Sequence, residues 1–121
     1  MTRMITRFAP SPTGYLHIGS ARTALINFIC KSKNKDSNLY LRIEDTDQGR
    51  LVEGSQKYIE DSLSWAGIIC DESPKKGGKY GPYNQSKRKA IYSKHIDELI
   101  EKGLAYYAFD TKEELDAHRK N

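Results

Sequence analysis

No stretch of this chain leaves the backbone fewer options than Arg7-Phe-Ala-Pro-Ser-Pro-Thr-Gly-Tyr-Leu-His-Ile-Gly-Ser20, which reads as strand, loop and helix in that order. Thr2 to Ala9 carries the β-branched and aromatic residues Thr2, Ile5, Thr6 and Phe8 and predicts a short strand. Pro10 and Pro12 offer no ladder donor and hold Ala9 and Ser11 extended, and Gly14 lets the chain turn. After Gly19, apolar residues at Ala21, Ala24, Leu25, Phe28 and Ile29 have the spacing of an amphipathic helix. His17, Gly19 and Ser20 then fall at a helix N-terminus, where free amides and the positive end of the dipole favour a phosphate. Gly19 exposes bare backbone to a flat ligand. His17 can donate to a phosphoryl oxygen as charge develops on it. A loop in which His17 merely caps the helix has the same layout.

A second strand follows at Leu39 to Glu44, with Leu39, Leu41 and Ile43 alternating against Tyr40, Arg42 and Glu44. Strand, helix and strand at this separation predict a parallel, right-handed crossover. That topology sets Arg7 and Glu44 at the carboxyl ends of their strands beside the His17 loop, where open α/β sheets bind ligands. Arg7 suits a carboxylate through its guanidinium fork, Glu44 suits an ammonium group, and Ser11 offers a small donor or acceptor. Arg7 and Glu44 simply pairing with each other is the competing account.

Further along, Ser55 to Ala66 reads as a helix with Ile59, Leu63 and Ala66 inward, Gly67 as its stop and Trp65 in or beside the core. Ile68 to Cys70 is expected as a short buried strand, and Pro74 to Tyr83 as a loop. Tyr92, Ile96, Leu99 and Ile100 mark the inner face of a helix closing at Gly103, with His95 on its surface without partners. Ala105 to Phe109 is a third strand candidate, and Thr111 with Glu114 spells a capping box.

A chain of 121 residues with 37% hydrophobic and 30% charged residues is globular in composition and fits one domain. It shows no apolar run long enough for a bilayer and no signal-like start, so no membrane partner and a cytoplasmic location are expected. Cys30 and Cys70 stand apart, implying neither disulfide nor zinc, and Cys30 fits the apolar side of its helix. Asp45 and Asp47 read as turn residues bonding nearby amides, so no metal ligand is assigned. The net charge of +4 and the lysine runs at 31–35, 75–79 and 87–89 read as solvated faces.

Three segments together, the His17 loop, Arg42-Ile-Glu-Asp-Thr-Asp47 and Gly81-Pro-Tyr-Asn-Gln-Ser-Lys-Arg88, resemble the bacterial glutamyl-tRNA synthetases, which are class I aminoacyl-tRNA synthetases. The likeness runs from Thr6 to about Arg119. Ser20 stands where the class signature has a second His, and Asn84 where relatives usually carry Arg. The resemblance implies an α/β fold: residues 1–104 as the first half of a Rossmann-like parallel-sheet nucleotide-binding domain, and 105–121 as the start of an inserted acceptor-stem-binding domain. Family members complete the sheet downstream and add a Lys-Met-Ser-Lys-Ser-type loop, which has no counterpart here. The chain is therefore expected to be an N-terminal segment, inactive alone.

By the same resemblance, L-glutamate is activated by ATP with Mg2+ to glutamyl-adenylate, and the glutamyl group passes to the 3' end of tRNA(Glu). His17 would be catalytic. His17, Gly19 and Ser20 would bind ATP, and Arg7, Ala9, Ser11 and Glu44 would hold glutamate. Relatives with a structural zinc hold it through cysteines near the position of Tyr107 to Phe109, which here reads Tyr-Ala-Phe, so no zinc is expected. Three other readings stay open: a glutamyl-queuosine tRNA(Asp) synthetase-type enzyme, a stand-alone nucleotidyltransferase, and a non-catalytic tRNA-binding fragment.

Overall fold

Side-chain alternation in two short strands decides where the core lies. In the computed structural model, which describes residues 3–120, β1 (Ile5–Phe8) pairs in parallel with β2 (Asn38–Leu41), Arg7 opposite Tyr40 and Phe8 opposite Leu41. The 15-residue helix α1 (Ile18–Ser32) makes the connection between them, and α2 (Ser55–Trp65) follows β2. Phe8, Leu39, Leu41 and Ile43 are buried together with Ala24 of α1, Ile59 and Leu63 of α2, and Ile68 and Cys70 beyond it. The alternate positions Ile5, Arg7, Tyr40, Arg42 and Glu44 belong to the opposite face, where Ile5 is half exposed. The polar residues expected to meet a ligand come from that second face, from the loop at its end or, for Ser20, from the first turn of α1.

Both strands are shorter than the sequence predicts. Thr2 lies outside the described residues, and Pro10 and Pro12 prevent β1 from continuing as a regular ladder. Pairing nevertheless persists irregularly, with the Arg42 amide donating to the Phe8 carbonyl (3.0 Å) and the Glu44 amide to that of Pro10 (2.9 Å). On the other side of β2, residues 68–70 form no strand. Ile68 and Cys70 are buried while Ile69 is exposed, and one parallel bridge joins Tyr40 to Glu72.

Helix α2 keeps its predicted start and stop, with Gly67 in the left-handed region at φ +71° just past its end. Trp65 is 89% exposed rather than core, because it sits about 200° around the helix from Leu63. Ala66 is exposed as well. In α1 the buried stripe is narrower than predicted: Ala24 and Phe28 face the core, while Leu25 and Ile29 are nearly half exposed. Of the two cysteines it is Cys70 that is buried, and burial pushes its thiol up to about 11.

The chain divides into two compact units, residues 1–89 and 90–121. The second holds nearly all of α3 (Lys89–Glu101) and α4 (Lys112–Lys120). The face of α3 predicted to be inner is not buried, with Ile96 and Leu99 about half exposed. His95 does have a partner, Glu98, at 3.3 Å. Residues 105–109 are not a strand; Tyr106, Tyr107 and Phe109 are strongly exposed, and strand propensity without a neighbouring strand to pair with leaves only extended chain. The capping box is formed: the Glu114 amide donates to Thr111 Oγ1 at 3.2 Å and the Thr111 amide to Glu114 Oε2 at 2.6 Å.

Candidate functional site

At the mouth of α1, His17 is the N-cap, in extended backbone at φ −100° and ψ 167°. Its Nδ1 accepts the Gly19 amide at 3.2 Å, and its Nε2 lies 3.1 Å from Ser20 Oγ. With Nδ1 accepting, the ring proton belongs on Nε2, which then points as a donor toward Ser20. Histidine is not among the residues that caps favour. A chain selected only to end this helix would carry Ser, Thr, Asp or Asn. No acidic residue stands in the first turn to neutralise the dipole. A Cβ at Gly19 would press on the same ring, meeting His17 Cε1 at 3.0 Å and Nδ1 at 3.1 Å, and would push it by a few tenths of an ångström.

This helix mouth opens on a cleft of about 380 Å³ whose walls are the loop from Pro10 to Leu16, His17, Ser20 and Ile59 of α2. Buried Ser55, at the start of α2, fixes the loop by donating its hydroxyl to the Pro12 carbonyl at 2.7 Å, and the Val52 amide donates to the same oxygen at 3.0 Å. Of the residues singled out from sequence, Ser11, His17 and Ser20 line the cleft directly, whereas Arg7, Ala9, Gly19 and Glu44 are not among its walls.

Arg7 and Glu44 nonetheless come together where the strands end. Arg7 Nη1 lies 3.7 Å from Glu44 Oε1, and the Glu44 amide is tied to Pro10, the first residue of the cleft wall. Sequence reasoning missed the third member of this group. Arg42 Nη2 lies 2.9 Å from the same Glu44 oxygen, closer than Arg7. The signal was available, because residues 42 and 44 are two apart on an extended segment and share its face. The partner of Asp45 was also missed.

Asp45 bonds its own amide, but its main partner lies outside the turn. Its carboxylate reaches across to residue 86, accepting the Ser86 amide at 2.8 Å and the Ser86 hydroxyl at 2.6 Å. Beside it the Ile43 amide donates to the Tyr83 carbonyl, the Gln85 amide to that of Ile43, and Asn84 Nδ2 to Gln56 Oε1 on α2. Asn84 is thus a strut between that segment and α2. Asp47 behaves as predicted, capping the short turn Gln48–Arg50 through the Arg50 amide.

Burial pushes the Asp45 carboxyl up, but hydrogen bonds, those of Ser86 first and then those of its own amide and the Asn84 side chain, together hold it below the ordinary carboxylate range. Stability from a lowered carboxyl is present above its unfolded value and lost as pH falls through the lower folded one. Ser86→Ala is therefore expected to cost about 1 kcal/mol near neutral pH and almost nothing once Asp45 is protonated. Urea unfolding of both proteins at pH 7 and at pH 2 checks this, and an equal loss at the two values would contradict it.

Among the described residues no helix is long and apolar enough to cross a membrane. The model of the family described as tRNA synthetases class I (E and Q), catalytic domain, matches residues 3–121. The chain is 57% identical over 114 residues to the glutamate–tRNA ligase of Lactobacillus johnsonii, spanning 94% of this chain and 23% of that protein. To the glutamate–tRNA ligase of Chlorobium chlorochromatii it is 57% identical over 118 residues, 98% of this chain and again 23% of the relative. Among solved structures, a glutamate tRNA ligase from Elizabethkingia meningosepticum in complex with its amino acid superposes with a TM-score of 0.85 at 47% identity, over 98% of this chain and 24% of that one. The chain thus spans about a quarter of the length of the relatives it matches.

Proposed function

Because the chain belongs to the catalytic-domain family of the class I glutamyl- and glutaminyl-tRNA synthetases, we propose that it forms the amino-acid-activating part of a glutamate–tRNA ligase. The observation that carries this reading is the joining of two groups by one loop. Arg7 and Glu44, a carboxylate binder and an ammonium binder, meet at the strand ends, and the Glu44 amide is fixed to Pro10. From Pro10 the loop leads through Ser11 to the amide-rich mouth of α1 at His17, Gly19 and Ser20. An acidic amino acid and a nucleotide phosphate can lie side by side across that loop.

In this reading Arg7 takes the side-chain carboxylate of glutamate, Glu44 its ammonium group, and Ala9 and Ser11 the space between. The substrate nucleotide is ATP with its Mg2+, its α-phosphate at the helix mouth and its adenosine against the bare backbone of Gly19. The glutamate α-carboxylate attacks the α-phosphorus, pyrophosphate leaves, and the glutamyl group passes from the adenylate to a terminal ribose hydroxyl of tRNA(Glu). His17 Nε2–H stabilises the phosphoryl oxygens during the first step. Work in the cytoplasm follows from that role, as does reading residues 105–121 as the opening of an acceptor-stem-binding domain. Glutamate rather than glutamine is favoured because the strand ends offer two guanidiniums against one carboxylate, an excess of positive charge that suits an acidic side chain.

Isotopic exchange of pyrophosphate into ATP tests the proposal in a protein extended to the length of the relatives. Exchange is expected with L-glutamate and to be at least about tenfold weaker with L-glutamine. Exchange that ignores which amino acid is supplied would overturn the reading.

A further inference from the structure

Resting on that reading of Glu44, we propose that Arg42 is a positioning residue of the amino-acid site: it holds the Glu44 carboxylate in place for the substrate ammonium and keeps it from closing onto Arg7. Three observations carry this.

First, the two guanidiniums around Glu44 are not equivalent. Arg42 Nη2 lies 2.9 Å from Oε1 and its side chain is 23% exposed, whereas Arg7 Nη1 stands at 3.7 Å with 47% exposed. The short, sheltered contact is a formed charge-assisted hydrogen bond; the long, exposed one is an electrostatic approach that a ligand can displace.

Second, the backbone fixes both members of the short pair. The Arg42 amide donates to the Phe8 carbonyl at 3.0 Å and the Glu44 amide to that of Pro10 at 2.9 Å. Arg7 is also held by backbone, in β1 opposite Tyr40, and reaches Glu44 from the other strand on the same face, with the longer and more exposed side-chain contact.

Third, Arg42 Nε is buried with no hydrogen-bond partner. A buried donor left unpaired is unfavourable, so packing alone does not account for this guanidinium. Its Nη2 contact with Glu44 does. Both guanidiniums approach Oε1, which leaves Oε2 to accept from an incoming ammonium.

Without Arg42 the empty site has one cation and one anion, Arg7 and Glu44, and nothing to hold them apart. They would pair fully, and glutamate would have to break that pair before binding. A residue acting this way shows itself in the amino-acid KM, and only while Glu44 is present.

The test is a double-mutant cycle in the ligase extended to full relative length, read by pyrophosphate exchange. Arg42→Gln is expected to raise the KM for glutamate about tenfold with the KM for ATP and kcat within about twofold, and Arg42→Lys to recover part of the loss. In a Glu44→Gln background, Arg42→Gln is expected to add nothing. The proposal is overturned if the glutamate KM of Arg42→Gln is unchanged, or if the increase is equally large with Glu44 already replaced. Should Arg42→Gln fail to accumulate as folded protein, Arg42→Lys in the two backgrounds makes the same comparison. Exchange by the unsubstituted enzyme that ignores the amino acid supplied would instead remove the glutamate-site reading itself, before any variant is compared.

Discussion

Replacing His17 with alanine in a protein extended to the length of the relatives is expected to slow glutamate-dependent pyrophosphate exchange by about 10²–10³, while the KM for glutamate moves by less than about threefold. The asymmetry follows from where the ring points. Its Nδ1 is occupied by the Gly19 amide at 3.2 Å, so the proton sits on Nε2, at the edge of the cleft beside Ser20. In the proposed reading a donor in that place strengthens as negative charge gathers on the α-phosphoryl oxygens, while the amino acid is held by Arg7 and Glu44 instead. The capping role predicts something different. Losing a cap costs about 1 kcal/mol of helix stability and leaves the chemistry of a folded enzyme intact. His17→Asn separates the two accounts, because asparagine caps a helix well but does not reach as far as the imidazole Nε2. Slow exchange in a normally stable His17→Asn protein is expected, and a normal rate would reduce His17 to its cap.

Much of this site can be read from residue order because its parts are local. Pro10, Pro12 and Gly14 dictate a loop, the spacing after Gly19 dictates a helix, and the cap falls between them. Helix α2 was equally legible: Ser55 begins it and Gly67 follows its end. What sequence did not disclose depends on partners far along the chain. Asp45 looked like a turn residue, but its acceptors are used by Ser86, 41 positions away, which no local pattern encodes. Trp65 and residues 105–109 were misplaced for a related reason. Apolar or strand-favouring residues predict burial or pairing only if some other element covers them, and among the described residues none does. Arg42 is the instructive case. Alternation places it beside Glu44 on one face, but the residue order does not say which of two guanidiniums the carboxylate takes.

Arg7→Ala has the other large expected effect, an increase of about a hundredfold in the KM for glutamate with the KM for ATP unchanged. The size discriminates between accounts. As a structural ion pair, Arg7 and Glu44 are 47% and 32% exposed and 3.7 Å apart, and such pairs contribute at most about 1 kcal/mol. Removing one would shift stability slightly and leave substrate affinity alone. If instead the guanidinium receives the glutamate side chain, its loss leaves a carboxylate without its partner in a partly enclosed site, worth about 2–5 kcal/mol. Arg7→Lys should fall between, since an ammonium keeps the charge but not the two-pronged geometry. Preference for glutamate over glutamine should shrink in the same order, because the discriminating charge is the one removed. Steady-state exchange with both amino acids measures all of this at once. A hundredfold rise confined to glutamate would assign Arg7 to the side-chain carboxylate, whereas an unchanged KM would return it to the strand end as an ordinary partner of Glu44.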